Sequence, residues 1–436
     1  MNVHPNASEL TRTLVDARSR TLALVMDLTD EQLMGPRLPI VNPLLWEIGH
    51  VAWFQEKWVL RHRDKAPPIR ADADALYDSI AIPHDTRWDL PLPSREETLA
   101  YMQEVLNRLL ERLRTITLDA EEAYFYQVGL FHEDMHDEAF TYARQTLAYP
   151  RPRFPALTQE GAQTGGGPLA GDVEVPGGTF LLGATPDLPF VFDNEKWAHP
   201  VEIQPFRIAR APVTNGEYVA FVEDKGYLRR EFWSENGWRW REKLGAEHPV
   251  YWQRGSDRRW YRRSYDEIVS LEEHHAIIHV NWYEAEAYCQ WAGCRLPTET
   301  EWEVAASGEP TADGRGITQH KRRFPWGDEP TFAGRANVDG GAGGCIDVGA
   351  LAEGDSPFGC RQMIGNVWEW VSNDFGPYPG FVADPYKEYS EPWFWTHKVL
   401  RGGSWITRSR MIRNTWRTYY TPDRRDVMAG FRTCAR

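Results

Sequence analysis

The hydrophobic pattern changes its period once along the chain, near residue 153, and that change restricts the fold to two unlike parts. Ahead of it, apolar residues recur every three or four positions. Leu10, Leu14, Ala17, Thr21, Leu24 and Leu28 form one stripe of a first helix. Asn42 followed by Pro43 reads as an N-cap and first-turn proline for a second helix that carries Leu45, Gly49, Trp53 and Trp58. Ser94 with Glu97 makes a capping box before Leu99, Met102, Leu106, Leu109 and Leu113. A fourth run, from about Glu121 to Leu147, contains HEDMHDEAF and stops before Tyr149-Pro150-Arg151-Pro152. Four such runs predict a four-helix bundle over residues 1–152.

Residues 153–172 turn to Pro, Gly, Thr and Gln and read as a linker. From 173 to 436, strand-like runs such as Gly178–Gly183 alternate with turns and a few helices. Asn281 and Thr298 stand where helix N-caps are expected, and the 35 glycines and 20 tryptophans point to a turn-rich domain with much aromatic packing. The fold class expected is therefore α+β. A net charge of -14 argues against broad attraction to nucleic acid or an anionic membrane, and makes a small molecule the expected partner. MNVHPNASEL lacks the basic and apolar regions of a signal peptide, and no run approaches the roughly 18 apolar residues of a membrane span, so a soluble cytoplasmic protein is expected. Cys289, Cys294, Cys345, Cys360 and Cys434 are too widely spread for a disulfide framework or a zinc knuckle and are expected as free thiols.

His132 and His136 lie one helical turn apart and project from one face. Alone, that pair is weak evidence of a metal site. His50 adds weight, because it sits on a separate helix inside the apolar NPLLWEIGHVAWF and can face the pair across a bundle core, although it also reads as a buried histidine satisfied by Glu47. Three imidazoles suit Fe(II), Zn, Ni or Cu, and would leave open coordination positions. Glu138 is better placed as an outer acceptor than as a ligand, and Glu133 and Asp134 read as solvated or structural.

The His50 and His132-Glu-Asp-Met-His136-Asp-Glu138 arrangement resembles the DinB-like domain of the ergothioneine sulfoxide synthases. The second half resembles a C-type-lectin-like, formylglycine-generating-enzyme-like domain through VPGGTFLLG, PVTNGEYVAF, NWYEAEAYCQWAGCRLPTETEWEVAA, FPWGD, GNVWEW, RGGSW and AGFR. The resemblance implies a non-haem iron enzyme in which His50, His132 and His136 hold Fe(II), dioxygen is a co-substrate, and a chalcogen atom is joined to the imidazole of hercynine. It further implies a catalytic role for Tyr378 beside the iron, and substrate binding by Asn414, Trp416, Tyr419 and Tyr420. An aromatic face among these would suit the trimethylammonium group. Arg424, Arg425, Arg87 and Arg95 are the guanidinium groups expected to bind a carboxylate, with an ion pair to Asp423 or Asp426 as the other reading of the first two.

Two positions depart from the common members. Met135 precedes His136 where an amide is usual, and Tyr420 stands where an acid is expected in one major branch. With the segments Leu38–Leu60 and His132–Pro152, these departures resemble the selenoneine-synthase branch, so the expected donor is a selenosugar, with a cysteine or γ-glutamylcysteine thiol and a sulfoxide product as the alternative. A peptide-modifying formylglycine-generating activity is less well supported, because it needs a cysteine pair. A noncatalytic binding protein would need no metal.

Overall fold

The computed structural model describes residues 4–154 and 165–436; residues 155–164 of the expected linker lie outside the described residues. The chain falls into two compact units, one made of the N-terminal stretch together with Asp187–Phe190 and the other of the remainder.

The first unit contains helices α1 (Ala7–Val25), α2 (Asp30–Met34), α3 (Leu44–Gln55), α4 (Ala73–Tyr77), α5 (Arg95–Thr115) and α6 (Ala120–Thr146). The four long helices form the expected bundle: α3 packs on α5 and α6, and α1 packs on α6 and α5. Ser94 and Glu97 make the capping box read from the sequence, and the Asp119 side chain accepts the Glu122 N–H to start α6. Asn42 does not cap α3. Pro43 occupies the N-cap position without a side-chain bond, and the Asn42 amide oxygen accepts from Arg87 Nη1 at 2.7 Å. Beyond Gln55 the helix widens to a π-helix over Glu56–Arg61, which shifts Trp58 off the phase of α3. Buried Glu56 anchors that turn by accepting the Ile69 N–H and the Tyr101 hydroxyl.

The second unit is a mixed α/β domain. Its strands are β1 (Asp172–Val175), β2 (Gly178–Leu182), β3 (His199–Ile203), β4 (Phe206–Ala209), β5 (Trp252–Arg254), β6 (Trp260–Ser264), β7 (Glu267–Ser270), β8 (Gly308–Pro310), β9 (Ile317–Lys321), β10 (Trp368–Asp374), β11 (Lys398–Arg401), β12 (Arg417–Tyr420) and β13 (Ala429–Gly430). Its helices are α7 (Asn215–Glu223), α8 (Glu235–Leu244), α9 (Trp282–Ala292) and α10 (Glu299–Ser307). Asn281 and Thr298 cap α9 and α10 through capping boxes with Glu284 and Glu301. The largest sheet among the described residues has the order β12-β11-β10-β13, antiparallel except for the β10–β13 pair. The other strands form two- and three-stranded sheets, β1-β4, β2-β3, β5-β6-β7 and β8-β9.

The conspicuous motifs of this unit build its scaffold. Glu369 of GNVWEW accepts from Trp302 Nε1 at 2.8 Å and receives a two-pronged bond from Arg432 of AGFR. Gly402 of RGGSW has φ +96°, and a Cβ there would lie 2.5 Å from the Met363 carbonyl oxygen, so only glycine fits. The five cysteines are free, as expected.

Candidate metal centre

Helix α3 supplies His50 and helix α6 supplies His132 and His136, and one donor nitrogen from each lies within 4.8 Å of the others. Because α3 packs directly on α6, the third imidazole reaches the i, i+4 pair from across the helix interface. Among the described residues this is the one group of three or more His, Cys, Asp or Glu that meets that distance.

Each ring is held differently. His50 Nδ1 lies 2.8 Å from the Tyr77 carbonyl oxygen, and the ring stacks on Trp46 with centroids 4.8 Å apart. His136 Nδ1 lies 2.7 Å from Glu47 Oε1. The His132 ring is parallel to Phe54. A carbonyl or carboxylate acceptor at Nδ1 holds the proton there and leaves Nε2 with its lone pair outward, the tautomer that binds a metal. Burial, reinforced by the neighbouring His136, pushes the pKa values of His50 and His132 well below the ordinary histidine value, so both are neutral. Neutral His50 and His132, with the Nδ1 atoms of His50 and His136 backed by acceptors, fit a divalent transition metal.

Glu47 therefore serves His136 and not His50, whose acceptor is a main-chain carbonyl. Glu133 is not solvated. It is fully buried, accepting from Arg18 Nε at 2.8 Å, Gln55 Nε2 at 2.7 Å and Thr21 Oγ1 at 2.9 Å, and so locks α1, α3 and α6 behind the histidines. Asp134 and Glu138 are buried too, because α6 runs through the middle of the bundle. The i, i+3 spacing of Glu47 and His50 was the sequence signal for a carboxylate near the site.

The remaining expected residues divide between the units. In the first, the Arg87 guanidinium lies 4.0 Å above Trp46 and donates to Asn42, Ser79 and Ile82; burial pulls its pKa down to about 10. Arg95 donates to the Leu28 and Met26 carbonyls at the end of α1. In the second, Asn414 is fully buried with its amide nitrogen on the Arg322 carbonyl. Trp416 meets Trp368 edge-on, and Tyr419 stacks on Phe375. Arg424 pairs with Asp426, the expected ion pair, and lies 5.2 Å from the Tyr420 ring centroid; Arg425 lies 5.2 Å from that of Trp240. Tyr378 is buried in the core of this unit beneath Arg417.

The chain matches two family descriptions, DinB superfamily over residues 13–140 and sulfatase-modifying factor enzyme 1-like domain over residues 159–436. It is 39% identical to a hercynine oxygenase of Mycolicibacterium thermoresistibile, over 98% of this chain and 95% of the relative. It is 36% identical to a hercynine oxygenase of Mycolicibacterium smegmatis, over 95% of this chain and 96% of the relative. A formylglycine-generating enzyme of Streptomyces coelicolor is 32% identical but spans 61% of this chain and 88% of its own length. These matches overturn the expected carbon–selenium chemistry with a selenosugar. Likeness confined to Leu38–Leu60 and His132–Pro152 does not outweigh whole-length similarity to hercynine oxygenases.

Proposed function

Because the chain belongs to the hercynine oxygenase family, we propose that it is an Fe(II)- and dioxygen-dependent oxidoreductase joining the sulfur of cysteine or γ-glutamylcysteine to the hercynine imidazole. The net reaction is thiol plus imidazole C–H plus dioxygen giving a sulfoxide and water. The observation that carries this reading is the cluster of His50, His132 and His136, whose imidazole nitrogens lie within 4.8 Å of one another and suit Fe(II). Iron bound there would supply dioxygen activation beside open coordination positions.

The chain's own groups would do the rest. Tyr378, its phenol held protonated by burial, would donate a proton or hydrogen bond during oxygen reduction. Arg87, whose Nε is buried without a hydrogen-bond partner among the described residues, would offer that N–H to a donor carboxylate. Asn414, Trp416, Tyr419 and Tyr420 would shape the hercynine side, and Arg424 and Arg425 would add positive charge. Arg95 is committed to main-chain carbonyls and would act as a helix tie.

The test is enzyme reconstituted anaerobically with Fe(II), then given hercynine, oxygen and either thiol. Mass spectrometry should find the sulfoxide conjugate, and His50→Ala, His132→Ala and His136→Ala should each lose stoichiometric iron. Full iron affinity in all three variants, or no hercynine product with either thiol, would defeat the proposal.

A further inference from the structure

The three imidazoles do not have equivalent backing, and the difference falls on the ring that packing holds least. His50 and His132 are buried and clamped by aromatic rings, Trp46 on one and Phe54 on the other. The His136 side chain keeps 19% exposure, and it is anchored by Glu47, which is 3% exposed and placed with Oε1 2.7 Å from Nδ1.

We propose that Glu47 is a positioning residue for the metal centre: its carboxylate orients His136 and strengthens it as a donor, making it the most electron-rich of the three ligands. This rests on the reading of the triad as a metal site. Glu47 precedes His50 by three residues on α3, so the same helical face carries one ligand and the buttress of a ligand on α6. The arrangement ties the α3–α6 spacing to the geometry of the triad. An N–H donated to a carboxylate also gives the imidazole more anionic character than one donated to the Tyr77 carbonyl, as at His50. Glu47 is not in the ligand cluster itself.

Glu47→Gln keeps shape and an accepting oxygen but removes the carboxylate; Glu47→Ala removes both. Co(II) titration followed by visible spectroscopy, with Zn(II) competition, should show affinity falling about 10-fold in Glu47→Gln and up to about 100-fold in Glu47→Ala. The Co(II) spectrum should shift, and the Fe(III)/Fe(II) potential should rise, since a weaker donor favours the ferrous state. Metal-free thermal unfolding of both variants checks their fold. In zinc-loaded wild type, nitrogen-15 histidine spectra should show a strongly hydrogen-bonded Nδ1–H on His136, so the idea can be judged even if a variant fails to fold. Unchanged affinity and spectra in both variants would overturn it, as would an Nδ1–H on His136 no more strongly bonded than that on His50. Loss as complete as in His136→Ala would make Glu47 a ligand and overturn it too. Failure of the wild type to take up metal would instead sink the functional reading beneath it.

Discussion

Phe54 and His132 lie face to face, ring centroids 3.5 Å apart and planes within 4° of parallel. Phe54 sits one turn after His50 on α3, so the helix that supplies one imidazole also limits rotation of another. Phe54→Ala would open a buried cavity and cost about 3–5 kcal/mol of first-unit stability. Phe54→Leu keeps most of the volume and should cost less than about 1.5 kcal/mol while freeing the His132 ring. Urea unfolding followed by metal titration separates the effects: Phe54→Leu should remain folded yet bind Co(II) less tightly. Unchanged Co(II) affinity would show that the stack packs the core without orienting the ligand.

In the second unit, Glu303 and Glu299 of α10 meet Arg401, with Arg401–Glu303 at 2.5 Å and Arg401–Glu299 at 2.7 Å; Arg417 reaches Glu299 at 2.7 Å, and Lys321 also pairs with Glu303. Arg401 and Glu303 have no exposed surface. Glu303→Gln would strand the positive charge of Arg401 and Lys321 in the interior, at about 3–5 kcal/mol. Denaturant unfolding followed by tryptophan fluorescence should show a lower second-unit midpoint. A midpoint within about 0.5 kcal/mol of wild type would mean that water reaches the cluster.

The histidine triad was legible in the sequence because its parts are local: an i, i+4 pair on one helix and an isolated histidine on another apolar helix. Helix starts at Ser94, Asn281 and Thr298 were legible for the same reason. What escaped depends on how helices pack. Glu47 turns to His136 and not to its own helix neighbour, Glu133 is buried among Arg18, Thr21 and Gln55, and the π-helix at Glu56 follows partners on other segments, Tyr101 and Ile69. The carbon–selenium expectation failed because it rested on likeness within two short segments, Leu38–Leu60 and His132–Pro152, which carry less weight than similarity along the whole chain.

Tyr378→Phe separates stability from chemistry. The Tyr378 hydroxyl is buried without a hydrogen-bond partner among the described residues, and burial raises the phenol pKa, so at neutral pH it is a protonated donor that contributes little to the fold. Removing it should leave the Tm unchanged or slightly raised while hercynine product forms at least about 10-fold more slowly, within the span of general acid–base contributions. Paired thermal scans and single-turnover assays check this. Wild-type turnover in the folded variant would remove Tyr378 from the chemistry.

His279 gives the second unit a pH dependence of known sign. Its Nδ1–H faces the Asp426 carbonyl oxygen at 3.0 Å, and burial, helped by the nearby Arg262 charge, pulls its pKa from 6.5 to about 3. Between those values the unfolded chain takes up a proton that the folded chain refuses. The stability His279 contributes is therefore complete above pH 6.5 and drains away as pH falls toward 3. The slope is at most about 1.4 kcal/mol per pH unit, and less in practice because the ring keeps some exposure to solvent. The residue also has φ +63°, a conformation that asparagine tolerates and most side chains resist. Asparagine keeps an N–H for the Asp426 carbonyl but does not titrate. His279→Asn should fold, and its second-unit urea midpoint should fall less steeply from pH 6.5 to pH 4 than that of wild type. Equal slopes would assign the acid sensitivity to other groups and leave His279 without a part in it.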